Sequence, residues 1–141
     1  MSFNDIYRVS GSAMTAQTVR LNTIASNLAN AESPAASADA TYKARRPVFA
    51  AIYQRSQLMD NAALAGARVQ VLDVVETGSA IRRYEPHNPV ANAQGHVFYP
   101  DINTVEEMAD MMSASRNFET NVEVLNSVKS MQQSLLRLGE A

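Results

Sequence analysis

A seven-residue repeat of apolar side chains opens the sequence, at Tyr7, Met14, Leu21 and Leu28. This spacing predicts a helix over residues 2–28 with a coiled-coil-like seam. The second row of the seam is small or polar at first, and Ile24 and Ala25 fill it only late in the helix. Pro34 disfavours helical dihedral angles at the residue before it, so the helix should end close to that point.

Helical spacing returns after residue 103 and continues almost to the end of the chain. Two overlapping pairs match a capping box, Asn103 with Glu106 and Thr104 with Glu107, and Gly139 is a typical helix stop. The apolar positions between them are Val105, Met108, Met111 or Met112, Phe118, Val122, Leu125, Val128, Met131, Leu135 and Leu138. They form a wide stripe, and the other faces carry Ser, Asn and Thr instead of the Glu and Lys of a solvated helix. We therefore expect this helix to be surrounded by other helices, although a helical hairpin on a small sheet could also bury the stripe.

Between the two helices the pattern changes to that of short strands. β-branched and aromatic residues predict an edge strand or an interrupted strand over 41–53, which contains Pro47. Alternating apolar residues predict further strands over 68–78 and 96–100. The stretch 54–67 is predicted to be loop-like or briefly helical.

Turn-forming residues separate these strands. Residues 80–89 include two prolines around a His-Asn pair and are predicted as turns, and another turn ends at Gly95. The predicted fold is mainly α with a small β-rich insert, and the long N- and C-terminal helices pair as a coiled-coil-like domain. The predicted parts are an N-terminal helix over 1–33, a β-rich or irregular insert over 34–102 and a C-terminal helix over 103–141.

Composition and charge mainly exclude classes of function. The 141 residues carry a formal net charge of −2 and contain no cysteine. Neither nucleic-acid binding nor disulfide or thiolate chemistry is therefore predicted. Hydrophobic residues make up 46% of the chain, but many of them are alanine and none is tryptophan. We expect a subunit that is marginally stable alone and folds fully on assembly.

Membrane and secretion signals are also missing from the sequence. No apolar run approaches the roughly 18 residues that are needed to span a bilayer. The first residues lack the basic and apolar regions of a secretory signal peptide. If the chain leaves the cytoplasm, we expect it to keep its N-terminus.

The search for reactive groups finds no constellation typical of an enzyme. His87 and His96 have no cysteine or clustered carboxylate at metal-ligand spacing. Glu106 and Glu107 are explained as first-turn carboxylates that interact favourably with the helix dipole. No GxGxxG, P-loop or GxSxG motif occurs. We predict no catalytic, cofactor-binding or metal-binding residue, no small-molecule ligand and no enzymatic activity.

Two segments resemble a known family. Residues 11–33, GSAMTAQTVRLNTIASNLANAES, resemble the N-terminal signature of the bacterial flagellar axial proteins, the rod and hook family. Residues 84–131, which begin YEPHNPVANAQGHVFYPDINTVEEM, resemble the C-terminal half of the proximal-rod members of that family. The long spacer between Pro34 and Tyr42, where many axial proteins have a T-P-G-Y segment, is also similar to the proximal-rod type.

The resemblance implies a structural subunit of the flagellar basal-body proximal rod, which polymerises into the axial drive shaft and transmits torque. It implies that the terminal helices form an inner coiled-coil domain, and that no cofactor or catalytic activity is present. The implied partners are copies of the chain itself, other rod proteins of the FlgB, FlgF and FliE types, the MS ring and, during secretion, the flagellar type III export apparatus. The implied location is the periplasm-spanning rod of the basal body, reached without cleavage of a signal peptide.

Two other classes of protein stay open on the residues alone. A cytoplasmic helical export chaperone or adaptor would bind one partner protein. It would be acidic and dimeric, and would lack a proline-rich β insert. A small α/β enzyme would need a convergent polar cluster in a pocket, which the sequence does not indicate.

Two groups of residues are predicted to make the contacts. Packing between the two helices within a subunit is assigned to Met14, Leu21, Ile24, Leu28, Phe118, Val122, Leu125 and Leu135. Candidate subunit-interface residues are Asn27, Asn30, Arg45, Arg46, Arg116, Asn117, Asn121 and Asn126. The asparagines could make their polar contacts between or within subunits, or contact only a helix end or solvent. The arginine pair could meet an acidic neighbouring subunit.

Overall fold

A computed structural model of the chain describes residues 3–55 and 64–139. Over these residues the elements are α1 (Phe3–Asn30), β1 (Ala44–Arg55), β2 (Leu64–Thr77), β3 (Ala80–Tyr84), β4 (His96–Pro100) and α2 (Thr104–Gly139). β1 and β2 form an antiparallel two-stranded sheet, which we call the ribbon, and β3 and β4 form a second two-stranded sheet. α1 packs against α2 and against both strands of the ribbon.

The prediction of a mainly α fold with a coiled-coil-like helix pair is wrong. The described residues form an α and β fold, in which two antiparallel sheets lie between the two helices in the order of the chain. The buried residues of α1 are Ser10, Ala16, Thr23, Ile24 and Asn27, whereas the four positions of the seven-residue repeat are only half-buried. The physical reason is that α1 has α2 on one side and the ribbon on another. Its buried positions therefore cover a wide band and do not follow a single seam.

The helix ends follow local chemistry that the sequence indicates. Oδ1 of Asn103 accepts hydrogen bonds from the backbone N–H groups of Val105 (3.1 Å) and Glu106 (3.4 Å), so the predicted cap of α2 is confirmed. α1 continues to Asn30, two residues beyond the predicted end. There the Asn30 amide donates to the carbonyl oxygen of Ser26 at 2.8 Å.

The ribbon accommodates Pro47 because the backbone nitrogen of this residue points away from the partner strand β2. Arg45 directs its N–H and carbonyl groups away from β2, since both bond to a side chain of α1. Pro47 lies two residues further along β1 and shares this outward orientation, so its missing N–H removes no ladder hydrogen bond. The predicted strand over 68–78 is confirmed as part of β2. Of the stretch predicted as loop or helix over 54–67, residues 56–63 lie outside the described residues and the rest belongs to β1 or β2.

The second sheet includes a strand that sequence reasoning placed in a turn. Residues 80–84 form β3, which pairs with β4 from Ala80 opposite Pro100 to Tyr84 opposite His96. Four of these five residues are exposed, so β3 lacks the apolar alternation by which a strand is recognised. The turn before β4 is confirmed: Gly95 has φ +76°, and a Cβ there would lie 2.9 Å from the Tyr84 ring.

The buried core is small and rich in alanine. Among the described residues, the buried hydrophobic side chains are Ala16, Ile24, Ala31, Ala44, Val97, Ala114 and Val128. Four of these seven are alanine, which adds little apolar area.

Enlarging the fully buried Ala114 should destabilise the subunit. Ala114→Leu should lower the free energy of unfolding by about 1–3 kcal/mol, because a larger side chain in a close-packed site forces its neighbours apart. Ala109→Leu, at an exposed position of the same helix, is the matched control and should change it by less than about 0.5 kcal/mol. Urea unfolding followed by circular dichroism measures both, and equal effects would contradict the assigned packing.

Candidate assembly surfaces

Asn27 lies at the junction of the helices and the ribbon, and its side chain is 1% exposed. Its Oδ1 accepts hydrogen bonds from the backbone N–H of Arg45 (2.8 Å) and the hydroxyl of Tyr42 (3.0 Å). Its Nδ2 donates to the carbonyl oxygen of Arg45 (3.0 Å) and to Oε2 of Glu107 (3.1 Å). A side-chain amide has two donors and two acceptor sites, and all four are used. Asn27 thus pairs with the edge of β1 as a neighbouring strand would, and also holds α2.

Glu107 connects this amide to a group of charged side chains. The carboxylate is 3% exposed, and its Oε1 lies 3.3 Å from Nη2 of Arg46 on β1. Arg46 also lies 4.0 Å from the Glu106 carboxylate and 3.6 Å from that of Asp110. Asp110 in turn accepts a hydrogen bond of 3.0 Å from Arg20 of α1. Charged side chains of α1, β1 and α2 are therefore paired at a single place, and the buried carboxylate has both of its oxygens bonded.

Two further hydrogen bonds attach α1 to its neighbours far from this junction. The hydroxyl of Tyr7 donates to Oε1 of Gln132 on α2 at 3.0 Å. The backbone N–H of Val69 on β2 donates to the hydroxyl oxygen of Ser12 at 3.0 Å. Beside this second bond lies an open groove of about 460 Å³ between α1 and β2, lined by Ala16, Val19, Val69 and Val71 and by four polar side chains.

The β3–β4 sheet carries a separate polar group. The hydroxyl of Tyr99 donates to Oε2 of Glu85 at 3.0 Å, and the Arg83 guanidinium stands 4.8 Å from the centre of the Tyr99 ring. Burial raises the pKa of Tyr99 above its ordinary value, and the hydrogen bond to Glu85 raises it further. The phenol therefore stays protonated and acts as a hydrogen-bond donor. It holds the Glu85 turn against β4.

The residues predicted to pack the helices together lie at different depths. Ile24 is buried at 4% exposure. The half-buried residues are Met14, Leu21, Leu28, Phe118, Val122 and Leu125. Leu135 is 55% exposed, near the end of α2.

The candidate interface residues also separate into groups. Asn27 is inside the subunit, and Arg45 and Arg46 are exposed but paired with acidic side chains of the same chain. Asn30 and Asn121 are half-buried, and their amides donate to the carbonyl oxygens of Ser26 and Asn117 one turn earlier. The exposed members of the set are Arg116, Asn117 and Asn126. Contact of these residues with another subunit stays a prediction.

Three residues of the junction, Tyr42, Asp110 and Arg20, are missing from the predicted contact residues. Tyr42 lies in the irregular segment between α1 and β1, and Asp110 lies in the second turn of α2. Glu107 was predicted only as a helix-dipole carboxylate, and it is also the acceptor for Asn27 and Arg46. Its position in the sequence gives no signal of burial, because Glu106 beside it has the same local setting and is exposed.

Large apolar side chains remain exposed on two surfaces. On the second half of α2 they are Val124, Met131, Leu135, Leu136 and Leu138, and on its first turns Val105, Met108 and Met112. On the ribbon they are Val48, Phe49, Tyr53, Leu72, Val74 and Val75. Extended apolar surfaces of this kind mark sites of protein–protein contact.

Other kinds of site find little support in the described ranges. No group of three or more His, Cys, Asp or Glu side chains there could hold a metal ion. Within the same ranges, neither helix is apolar enough over a sufficient length to cross a bilayer. The exposed apolar faces of α2 and of the ribbon are thus the candidate functional surfaces.

Both ends of the chain match models of flagellar protein families. Residues 8–34 match the family described as flagella basal body rod protein. Residues 93–138 match the family described as flagellar basal body rod FlgEFG protein C-terminal. The resemblance found in residues 11–33 and 84–131 is confirmed by these matches.

Individual relatives extend the match to nearly the whole chain. The flagellar basal-body rod protein FlgC of Escherichia coli O6:H1 is 44% identical over 141 residues, which cover 99% of this chain and 100% of that protein. FlgC of Salmonella typhimurium is 41% identical over 99% of this chain and 100% of that protein. FlgC of Bacillus subtilis is 32% identical over 94% of this chain and 95% of that protein.

Removing the Glu107 carboxylate should cost more stability than removing its neighbour. Glu107→Ala leaves Nδ2 of Asn27 without one of its acceptors in a buried place, and we expect a loss of about 1–3 kcal/mol in the free energy of unfolding. Glu106→Ala removes an exposed ion pair and should cost no more than about 1 kcal/mol. Urea unfolding of the two variants checks this, and a smaller loss for Glu107→Ala would show that the junction is not a main stabilising contact.

Proposed function

The chain belongs to the FlgC family of flagellar basal-body rod proteins, and on this premise we propose that it polymerises into the proximal rod and transmits torque along the flagellar axis. It is a structural rod subunit of the flagellar basal body and not an enzyme. It assembles with other flagellar rod components. A cytoplasmic export chaperone, the alternative considered from the sequence, has no support among its relatives.

The observation that carries the polymerisation proposal is the exposed second half of α2. Leu136 is 70% exposed and Leu138 is 75% exposed, and Met131 and Leu135 are each at least half exposed. Burying a leucine side chain contributes about 1.5–3 kcal/mol relative to leaving it in water. Four such side chains within two turns favour association with a neighbouring protein surface.

Helix lengths explain why this end of α2 stays uncovered within the subunit. At about 1.5 Å per residue, α2 with 36 residues exceeds α1 with 28 residues by about 12 Å. The hydrogen bond from Tyr7 to Gln132 ties the start of α1 to a point seven residues before the end of α2. Four described residues of α1 precede Tyr7, whereas seven residues of α2 follow Gln132, so the last residues of α2, Leu138 among them, extend past α1 and are free to pack on other subunits.

The finer identity of the partners follows from the family resemblance. We propose copies of the chain itself and rod proteins of the FlgB, FlgF and FliE types, with the MS ring as a further neighbour. Passage through the flagellar type III export apparatus belongs to the same proposal. The small alanine-rich core supports it, because a marginally stable subunit is unfolded at little cost before export.

Fractionation of cells that build flagella tests the function directly. Immunoblotting of purified hook–basal bodies and of the cytoplasmic fraction should find the chain enriched in the basal bodies. Enrichment there supports an exported structural subunit. Confinement to the cytoplasm would overturn the proposal and favour the chaperone alternative.

A charge on the exposed end of α2 should block assembly without unfolding the subunit. Leu136→Asp should leave the free energy of unfolding within about 0.5 kcal/mol of the parent, since the side chain is exposed. It should nevertheless prevent rod formation and swimming, because an unpaired carboxylate would have to be buried against a neighbour. Gln133→Asp adds the same charge at another exposed position of the helix and is the matched control. Normal swimming of the Leu136→Asp strain would contradict the assigned surface.

A further inference from the structure

Polar contacts connect the ribbon to both helices at its base. There Asn27 bonds to both backbone groups of Arg45, and Arg46 bonds to Glu107. Further along, Ser12 accepts the N–H of Val69, and α1 packs against both strands of the ribbon. Packing on α1 holds the ribbon along that helix, and the contacts at the base also bond it to α2. The base is thus the place where the position of the ribbon is fixed relative to both helices.

We propose that Asn27 is a positioning residue that sets the direction in which the ribbon leaves the helix pair, and so determines where the exposed apolar side chains of the ribbon meet neighbouring subunits. The inference rests on the proposed function as a rod subunit. In a polymer every subunit must present the same surface at the same angle. A ribbon with a loose base would present Phe49, Tyr53 and Leu72 at variable positions.

The geometry of the junction requires an asparagine at this position. Only an amide of this length offers both a donor and an acceptor to the two backbone groups of Arg45 while it also reaches Glu107 and Tyr42. Serine lacks the second polar atom, and aspartate is acceptor-only when ionised. The four bonds reach three separate parts of the chain, namely β1, α2 and the segment that precedes β1, so one side chain aligns them all.

Asn27→Asp replaces the hydrogen bond to Glu107 with a repulsion that a change of pH can relieve. The Nδ2 donor, which lies 3.1 Å from Oε2 of Glu107 and 3.0 Å from the carbonyl oxygen of Arg45, would become an oxygen that faces both of these acceptors. Two carboxylates at this distance do not both ionise easily, and one of them takes up a proton as the pH falls. The other titratable and charged groups around them are Tyr42, Arg45, Arg46, Glu106, Asp110 and Arg20.

The experiment measures the ribbon angle in the full chain with a pair of spin labels. Because the sequence has no cysteine, Gln70→Cys on β2 and Glu119→Cys on α2 give two unique and exposed labelling sites. Pulsed electron paramagnetic resonance then reports the distribution of distances between the ribbon and α2. Circular dichroism of the same samples reports helix content.

We expect a narrow distance distribution for the parent and a broad one for Asn27→Asp at neutral pH, with the helix content retained. Lowering the pH should narrow the distance distribution of Asn27→Asp. Combining Asn27→Asp with Glu107→Gln should narrow it only partly at neutral pH, because the repulsion from the Arg45 carbonyl remains. Asn22→Asp, at an exposed position of α1, is the matched control and should behave as the parent. An unchanged distribution for Asn27→Asp, or a loss of helix content in step with the broadening, would overturn the positioning role.

The same variants in cells separate the two proposals. Asn27→Asp should lose most basal bodies and swimming, Glu107→Gln should restore them in part, and Glu106→Gln should not. If the parent chain itself is missing from basal bodies, the proposed function fails regardless of the distance measurement. If the parent is present and Asn27→Asp assembles as well as the parent, only the positioning role fails.

Discussion

The carboxamide of Asn27 is the point at which the separate parts of the subunit meet. It completes the edge of β1 as a strand would, and it gives its remaining donor to a buried carboxylate of α2. A buried amide is costly unless all of its polar sites are bonded, so the positions of β1, α2 and the preceding segment are constrained together. Loss of one partner weakens the others, because each hydrogen bond holds the amide in the orientation that the rest require.

This dependence on polar contacts follows from the small apolar core. α1 packs against α2 and both strands of the ribbon, yet four of the seven buried hydrophobic residues in the described ranges are alanine. Hydrogen bonds and ion pairs are directional but contribute modestly to net stability, about 0.5–1.5 kcal/mol for a typical bond. Directional polar contacts therefore define how these elements meet, whereas the core of the described ranges contains few large apolar side chains. Such a balance suits a protein whose largest apolar surfaces are left for its neighbours.

Periodicity along the sequence predicted the helices and most strands, but it did not predict which helix face is buried. The seven-residue repeat of α1 favours a single seam, whereas the structure divides that helix between two neighbours. Local chemistry was more informative, since the Asn103 cap depends only on residues close by. β3 could not be recognised because it is exposed and stabilised by pairing with β4. The role of Asn27 likewise depends on Arg45 and Glu107, 18 and 80 residues away, and no local pattern encodes such distances.

The polar residues of the helices are compatible with burial between subunits for a reason that is visible in the single chain. Thr15, Thr18 and Thr120 donate their hydroxyl protons to carbonyl oxygens four residues earlier. The Asn30 and Asn121 amides do the same. A side chain that is already bonded to its own helix loses little when water is removed from around it, whereas a lysine or glutamate would lose the hydration of a full charge. Helix surfaces that carry Ser, Thr and Asn can thus remain in water as a monomer and be covered in a polymer. This property explains why a long helix with a modest helix propensity is useful in a rod subunit.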